Sequence, residues 1–146
     1  MVKIAVFRDA NMDFSKKQVP VTKKRILIVD DEEDFCYFVK INLEETKQFE
    51  VMTAYDGPEG IDMAIRYHPD MILLDIIMPK MMGTEVAEVL RSNKATKEIP
   101  ILFVTAILKR EEVGGKGRKL GGNIFLFKPV KLDELIDEIG SMIRMR

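Results

Sequence analysis

The chain has 146 residues, of which 47% are hydrophobic and 32% charged, and its formal net charge is −1. These values are typical of one folded domain and give no general attraction to nucleic acid or anionic membranes. The single cysteine excludes intrachain disulfides, and no apolar run approaches the about 20 residues that span a bilayer, so we expect a cytoplasmic protein without direct nucleic-acid or membrane partners.

Residues 1–23 precede the first predicted strand of the core, and we interpret them as an N-terminal extension. Within them Val2, Ile4 and Val6 alternate with other side chains, a pattern typical of an additional edge strand. A polar linker follows. The predicted folded domain is therefore residues 24–146.

Five short apolar runs alternate with stretches of helical spacing along this domain. The runs are 26–29, 49–54, 71–74, 101–104 and 124–127. The helical spacing is clearest in the last helix, where one face carries Leu132, Leu135, Ile136, Ile139, Met142 and Ile143. Strands that alternate with helices predict a parallel sheet covered by helices on both faces, which is a doubly wound α/β fold.

Residues 109–123, where the fourth helix should lie, contain five glycines. Because each interior glycine costs a helix about 1 kcal/mol relative to alanine, we expect this helix to be short, frayed or absent. The segment 115–119 has glycines and lysines but lacks the spacing of a phosphate-binding loop and does not follow a strand directly. We therefore interpret it as a flexible basic loop.

Polar side chains follow the ends of four predicted strands. Asp30 and Asp31 follow the first strand, Asp75 the third, Thr105 the fourth and Lys128 the fifth. Parallel strands deliver such residues to one edge of the sheet, where open α/β folds bind their ligands. If the first and third strands are neighbours, they lie about 5 Å apart, and two carboxylates at about 4 Å repel by about 4 kcal/mol at an effective dielectric near 20.

This crowding needs a proton or a cation to relieve it, and hard carboxylate oxygens with room for water suit Mg²⁺. We therefore predict a magnesium site at this edge. Lys128 can supply an ammonium and Thr105 a hydroxyl to a phosphoryl group held nearby. Asp75 is the best placed nucleophile, because a lone acid can face a donor while the paired acids hold the metal.

Structural roles are the alternative for each of these residues taken alone. Asp30 or Asp31 could cap a helix, Thr105 could do the same, and Lys128 before a proline could be solvated. Their occurrence at successive strand ends of one fold favours the functional interpretation. For Cys36 and His68 the structural interpretation is the better one: a small packed side chain and a helix end.

With these residues in place, the chain closely resembles the receiver domain of two-component response regulators over about residues 24–145. The matching segments are Ile28-Val29-Asp30-Asp31-Glu32, Ala54-Tyr55-Asp56-Gly57, Asp70-Met71-Ile72-Leu73-Leu74-Asp75-Ile76-Ile77-Met78-Pro79 with Gly83, Val104-Thr105-Ala106, and Lys128-Pro129. As an ordered set they are highly specific. The resemblance implies a flavodoxin-like fold of five parallel strands in the order 2-1-3-4-5.

The resemblance also implies a chemistry for the acidic residues. Asp75 would accept a phosphoryl group from a phosphohistidine on a sensor histidine kinase or a phosphotransfer protein. Asp31, Asp75 and the backbone carbonyl of Ile77 would bind Mg²⁺ directly, and Asp30 would act through a water. Ile77 is apolar where many members carry a polar side chain that contacts the attacking water, so we expect a long-lived phosphoryl-aspartate.

The remaining roles concern the phosphoryl oxygens and the signal. Thr105 and Lys128 would contact the oxygens, and Phe125 matches the family's switch aromatic, which turns inward as the threonine moves toward the phosphoryl group. Phe125 lacks a hydroxyl and can switch only by packing. A downstream effector protein would bind the fourth helix, fifth strand and fifth helix, although the glycines of 109–123 put the first of these in doubt.

Two other functions fit parts of the pattern. A Mg²⁺-dependent phosphohydrolase with an aspartyl intermediate would need a substrate cap, and no insertion is long enough to form an obvious one. A receiver fold used as a scaffold without phosphorylation would leave the acids, Thr105 and Lys128 unexplained. We expect no turnover of a separate substrate. Because the last helix ends at Arg146, we also expect no output domain after it. The sequence is compatible with a single-domain regulator and with an excised piece of a hybrid kinase or larger regulator, and homodimerisation is left open.

Overall fold

The computed structural model describes residues 22–106, 119–120 and 122–144, with only the backbone described at 119–120. Residues 1–21 of the extension, with its predicted edge strand, and most of the glycine-rich segment 109–123 lie outside the described residues. The strands are β1 (Lys24–Val29), β2 (Phe49–Ala54), β3 (Met71–Leu74), β4 (Ile101–Thr105), β5 (Lys119–Leu120) and β6 (Asn123–Phe127). The helices are α1 (Glu33–Glu45), α2 (Gly57–Tyr67), α3 (Gly83–Ser92) and α4 (Leu132–Arg144).

The sheet has the order β2-β1-β3-β4-β6-β5. The first five of these strands pair in parallel, which confirms the predicted doubly wound sheet and its strand order, with β6 as the fifth predicted strand. β5 was not predicted; it pairs antiparallel with β6 at the edge of the sheet. Two residues in a glycine-rich segment are too few to show the alternation by which strands are recognised.

The central strands β3 and β4 are buried at every position, which explains why their sequences are continuous apolar runs. β2 lies at one edge of the sheet and carries the exposed Glu50. Successive residues of β1 point to opposite faces: Leu27 and Val29 pack with residues of α2 and α3, whereas Ile26 and Ile28 pack with residues of α1 and α4. Each face of the sheet therefore has its own hydrophobic core. The carboxyl edge, between these two cores, is left open for a site.

Two helices show features that the sequence predicted. The last helix, α4, buries Leu135, Ile139 and Met142 on the predicted face. His68 is the C-cap residue that follows α2, and its backbone is left-handed with φ 50°, so this histidine lies at a helix end as expected. Cys36 is buried in α1, and this burial raises the pKa of its thiol to about 12. Among the described residues, no helix is both long enough and apolar enough to cross a membrane.

Candidate functional site

Backbone hydrogen bonds continue the sheet by one residue at its carboxyl edge and so fix the predicted site residues. The Asp30 N–H donates to the Ala54 carbonyl at 3.0 Å, and the Asp75 N–H donates to the Val29 carbonyl at 3.0 Å. In the same way the Lys128 N–H donates to the carbonyl of Thr105 at 3.0 Å. Strand register, rather than loop conformation, therefore sets the positions of two acids and the lysine.

The three predicted carboxylates come together at this edge. Asp30, Asp31 and Asp75 each offer an oxygen within 4.8 Å of the others. Asp30 and Asp75 are buried, whereas Asp31 is exposed to the cleft above them. The crowding expected from the sequence is therefore present, and it concentrates negative charge where little water can screen it.

Burial raises the pKa of both buried acids. For Asp30, loss of solvation is the largest cause, and it raises the pKa from 3.8 to about 6 in spite of the adjacent Lys128 ammonium, which lowers it. For Asp75, burial also raises the pKa, while the Lys128 charge, the Ile76 N–H and a hydrogen bond from Thr105 oppose the rise. A nearby cation would stabilise the ionised form of both carboxylates.

Lys128 is the cation that the structure already supplies. Its side chain is only 14% exposed, and Nζ lies 2.9 Å from Asp30 Oδ2 and 3.8 Å from Asp75 Oδ2. It also contacts Glu32 Oε1. Burial by itself would lower the lysine pKa, but the hydrogen bonds and charges of these acids outweigh it and raise the pKa. The solvated alternative for this lysine is therefore wrong.

Thr105 and Phe125 lie beside this group of charges. Thr105 is buried at the last position of β4 and hydrogen-bonds to the Asp75 carboxylate. Phe125 is also buried, and its ring stacks on the ring of Phe103 with 5.2 Å between centroids. The predicted switch aromatic thus packs against the same strand that carries the threonine.

The loop between β3 and α3 forms one wall of the site. Its Gly83 N–H donates to the Ile76 carbonyl at 2.7 Å. Lys80 Nζ lies 2.8 Å from Asp56 Oδ2, which ties the loop to the start of α2. The Ile77 side chain is 52% exposed and faces the cleft. This loop follows Asp75 directly, so its conformation determines how open the acid is.

An open cleft of about 710 Å³ lies above the acids. Its lining includes Asp31, Glu32, Asp75, Ile77, Thr105 and Lys128. A cleft lined by carboxylates together with an ammonium and a hydroxyl can hold a divalent cation and an anionic group together.

The donor set fits a hard divalent cation. Asp30 Oδ2 is buried and receives no well-directed hydrogen bond from the described residues; the nearby Lys128 ammonium makes an ion pair with it instead. Asp30 Oδ1 accepts the Glu32 N–H at 2.9 Å. One oxygen of Asp30 therefore supports the backbone before α1, as in a capping role, while the other remains directed at the site.

Two contacts of Lys128 were not singled out from the sequence. Glu32 pairs with its ammonium, and the ring of Phe35 lies beneath it, 4.3 Å from Nζ to the ring centroid. The position of Glu32 directly after the two aspartates is the sequence feature that could have indicated its place at the site. Nothing in the spacing of α1 distinguishes Phe35 from the residues that pack in the core.

Comparison with known proteins agrees with this geometry. The family model for the response regulator receiver domain matches residues 26–140. The transcriptional regulator RpaA of Synechocystis is 34% identical over 120 residues, which are 82% of this chain and 49% of RpaA. The response regulator PleD of Caulobacter vibrioides is 37% identical over 122 residues, 84% of this chain and 26% of PleD.

Solved structures give the same result. The chemotaxis protein CheY4 of Vibrio cholerae superposes with a TM-score of 0.70 at 29% identity, covering 82% of this chain and 98% of CheY4. The chain spans about half the length of RpaA and about a quarter of PleD. The extent of the family match, together with the observed sheet order, shows that this chain belongs to the family of response regulator receiver domains.

Proposed function

We propose that Asp75 of this receiver accepts a phosphoryl group from a phosphohistidine on a sensor histidine kinase or a phosphotransfer protein. The observation that carries the proposal is the position of its carboxylate, which lines an open cleft close to two further acids and to Lys128. Neither a helix cap nor a surface ion pair needs this arrangement. The folded unit is proposed to be residues 24–146, with 1–23 as an extension.

The transfer is a substitution at phosphorus. An oxygen of Asp75 forms the new O–P bond while the N–P bond of the phosphohistidine breaks, and the imidazole nitrogen leaves with the electron pair. The attacking carboxylate has to be ionised, which its burial opposes and the charge of Lys128 favours. Catalysis of this kind needs little beyond positioning and neutralisation of charge.

Asp31, Asp75 and the backbone carbonyl of Ile77 are proposed to hold Mg²⁺, with Asp30 contributing through a water. Bound Mg²⁺ supplies the positive charge that offsets the clustered carboxylates and the phosphoryl oxygens. The residues of this chain do the rest: Thr105 donates its hydroxyl to one phosphoryl oxygen, and the Lys128 ammonium moves onto another.

The signal is proposed to leave through Thr105 and Phe125. Movement of the threonine toward the phosphoryl group changes the packing space beside the Phe103–Phe125 stack. A downstream effector protein or domain would bind the altered surface. RpaA is named as DNA-binding, but this chain aligns with about half of it, and we assign this receiver a protein partner and no direct contact with nucleic acid.

Acetyl phosphate with Mg²⁺, followed by intact mass, tests the proposal. The wild type should gain about 80 Da, the mass of one phosphoryl group, and EDTA should prevent the gain. Asp75→Asn should gain nothing, whereas Asp34→Asn, which changes an exposed acid on α1 outside the cluster, should behave as the wild type. Equal labelling of Asp75→Asn, or no labelling of the wild type, would overturn the proposal.

A further inference from the structure

Lys128 is shared unequally among the acids around it. Its Nζ contacts Glu32 Oε1, lies 2.9 Å from Asp30 Oδ2, and is 3.8 Å from Asp75 Oδ2. The ring of Phe35 supports the ammonium from the α1 side, with Nζ 4.3 Å from its centroid. The lysine is therefore drawn toward the first strand and α1, and away from the acid that it is proposed to serve.

Among the described residues, the ion pair with Lys128 is the contact that the Glu32 carboxylate makes. Glu32 is the N-cap residue of α1, but its carboxylate makes no capping hydrogen bond. The backbone N–H of Glu32 is held by Asp30, so the residue stays in place without its carboxylate. The Glu32 side chain is 61% exposed at the rim of the cleft, in contrast to the buried side chain of Asp30.

We propose that Glu32 holds Lys128 in a resting position and thereby slows phosphorylation of Asp75. The inference rests on the proposed function. To contact a phosphoryl group on Asp75, the ammonium has to move toward Oδ2 of that residue and leave Glu32. Glu32 is thus a positioning residue that acts through Lys128 and opposes the reaction.

The size of this effect follows from the exposure of the glutamate. A half-exposed ion pair contributes little to stability, because water and salt screen it. Glu32 is therefore expected to slow phosphorylation by a few fold and not to prevent it. Asp30 is buried and remains beside the lysine after Glu32 is removed, so the ammonium is not lost from the site.

Glu32→Gln tests the inference, with Glu33→Gln as its matched control. Glu33 is an exposed glutamate one residue further along, so the control removes the same charge near the cleft. With acetyl phosphate and Mg²⁺, Glu32→Gln should be phosphorylated roughly three- to fivefold faster than the wild type, as expected for loss of one partly exposed ion pair. Glu33→Gln should stay close to the wild-type rate. Glu32→Ala should match Glu32→Gln, because the charge is what matters.

The affinity of Glu32→Gln for beryllofluoride, measured by calorimetry, should rise by a similar factor. The melting temperature of this variant should stay near that of the wild type. A role in folding alone would not increase either the rate or the affinity. An unchanged or slower Glu32→Gln would overturn the inference, and so would equal acceleration in Glu33→Gln. Failure of the wild type to gain a phosphoryl group would instead overturn the proposed function itself.

Discussion

A Cβ atom at Gly83 would lie 1.9 Å from the carbonyl oxygen of Asp75. α3 therefore begins in direct contact with the backbone of the proposed phosphoryl acceptor, and the Gly83 N–H closes this contact by donating to Ile76. The obstructing atom belongs to the backbone at the end of β3, which cannot move aside as a flexible side chain would. Only glycine fits at this position, because it has no Cβ.

Gly83→Ala should consequently destabilise the protein. Overpacking typically costs about 1–3 kcal/mol, and we expect the upper part of this range because the neighbour is backbone. Urea unfolding followed by circular dichroism measures the loss. The control is Gly140→Ala in α4, where the new Cβ would meet only the guanidinium of Arg144 at 3.0 Å; there the helical preference of alanine should make the change neutral or slightly stabilising. Equal losses in the two variants would contradict the explanation.

The stability of the metal-free protein should depend on pH through Asp30. Its pKa is raised from 3.8 to about 6, so the folded state favours the protonated carboxyl. The stability that this preference contributes is complete below about pH 4 and is lost as the pH rises through 6. A rise of this size corresponds to about 3 kcal/mol at most.

Asp30→Asn removes the titrating group and should therefore stabilise the protein at pH 7.5 in EDTA. We expect a gain of about 2–3 kcal/mol over the wild type, shrinking to a small difference near pH 4. Denaturant unfolding at a series of pH values measures it, and the exposed Asp34→Asn serves as the control. A difference between Asp30→Asn and wild type that does not change with pH would rule out this explanation.

The fold was accessible from the sequence because the central parallel strands are buried on both faces. Continuous apolar runs such as Met71–Leu74 leave no ambiguity about burial, and four of the five runs end at an acid, a threonine or a lysine. Since parallel strands share one edge, the positions of Asp30, Asp75, Thr105 and Lys128 could be inferred together. This is a consequence of topology and needs no knowledge of side-chain conformations.

Contacts that depend on side-chain conformation could not be inferred in this way. The partner of the Lys128 ammonium is decided by the reach of Glu32 and by the placement of the Phe35 ring, neither of which has a sequence period. The tie between Lys80 and Asp56 joins two loops far apart in the chain. Such contacts carry no repeated pattern, although they shape the site as much as the strand ends do.

Mg²⁺ should stabilise the protein through the acidic cluster. A ligand that binds only the folded state at about 100 times its dissociation constant adds about 2.7 kcal/mol. Thermal unfolding with MgCl₂, compared with KCl at equal ionic strength, should show a rise in melting temperature for the wild type. Asp31→Asn should lose most of the rise, because Asp31 is the exposed member of the cluster; Asp34→Asn should keep it. Retention of the full rise by Asp31→Asn would exclude this acid as a ligand.

The lifetime of the phosphorylated protein should be set in part by Ile77. Its side chain is 52% exposed and lines the cleft that contains Asp75. Water that attacks the phosphoryl group on Asp75 therefore passes the Ile77 side chain, which cannot hydrogen-bond to that water. Ile77→Asn supplies an amide that can orient a water molecule for attack, and dephosphorylation should become faster, roughly 10-fold if the amide positions the water well. Ile77→Leu keeps the apolar surface and should leave the lifetime unchanged. Decay of the phosphorylated mass after removal of acetyl phosphate measures all three proteins. A slower decay in Ile77→Asn than in the wild type would show that the apolar side chain does not protect the phosphoryl group.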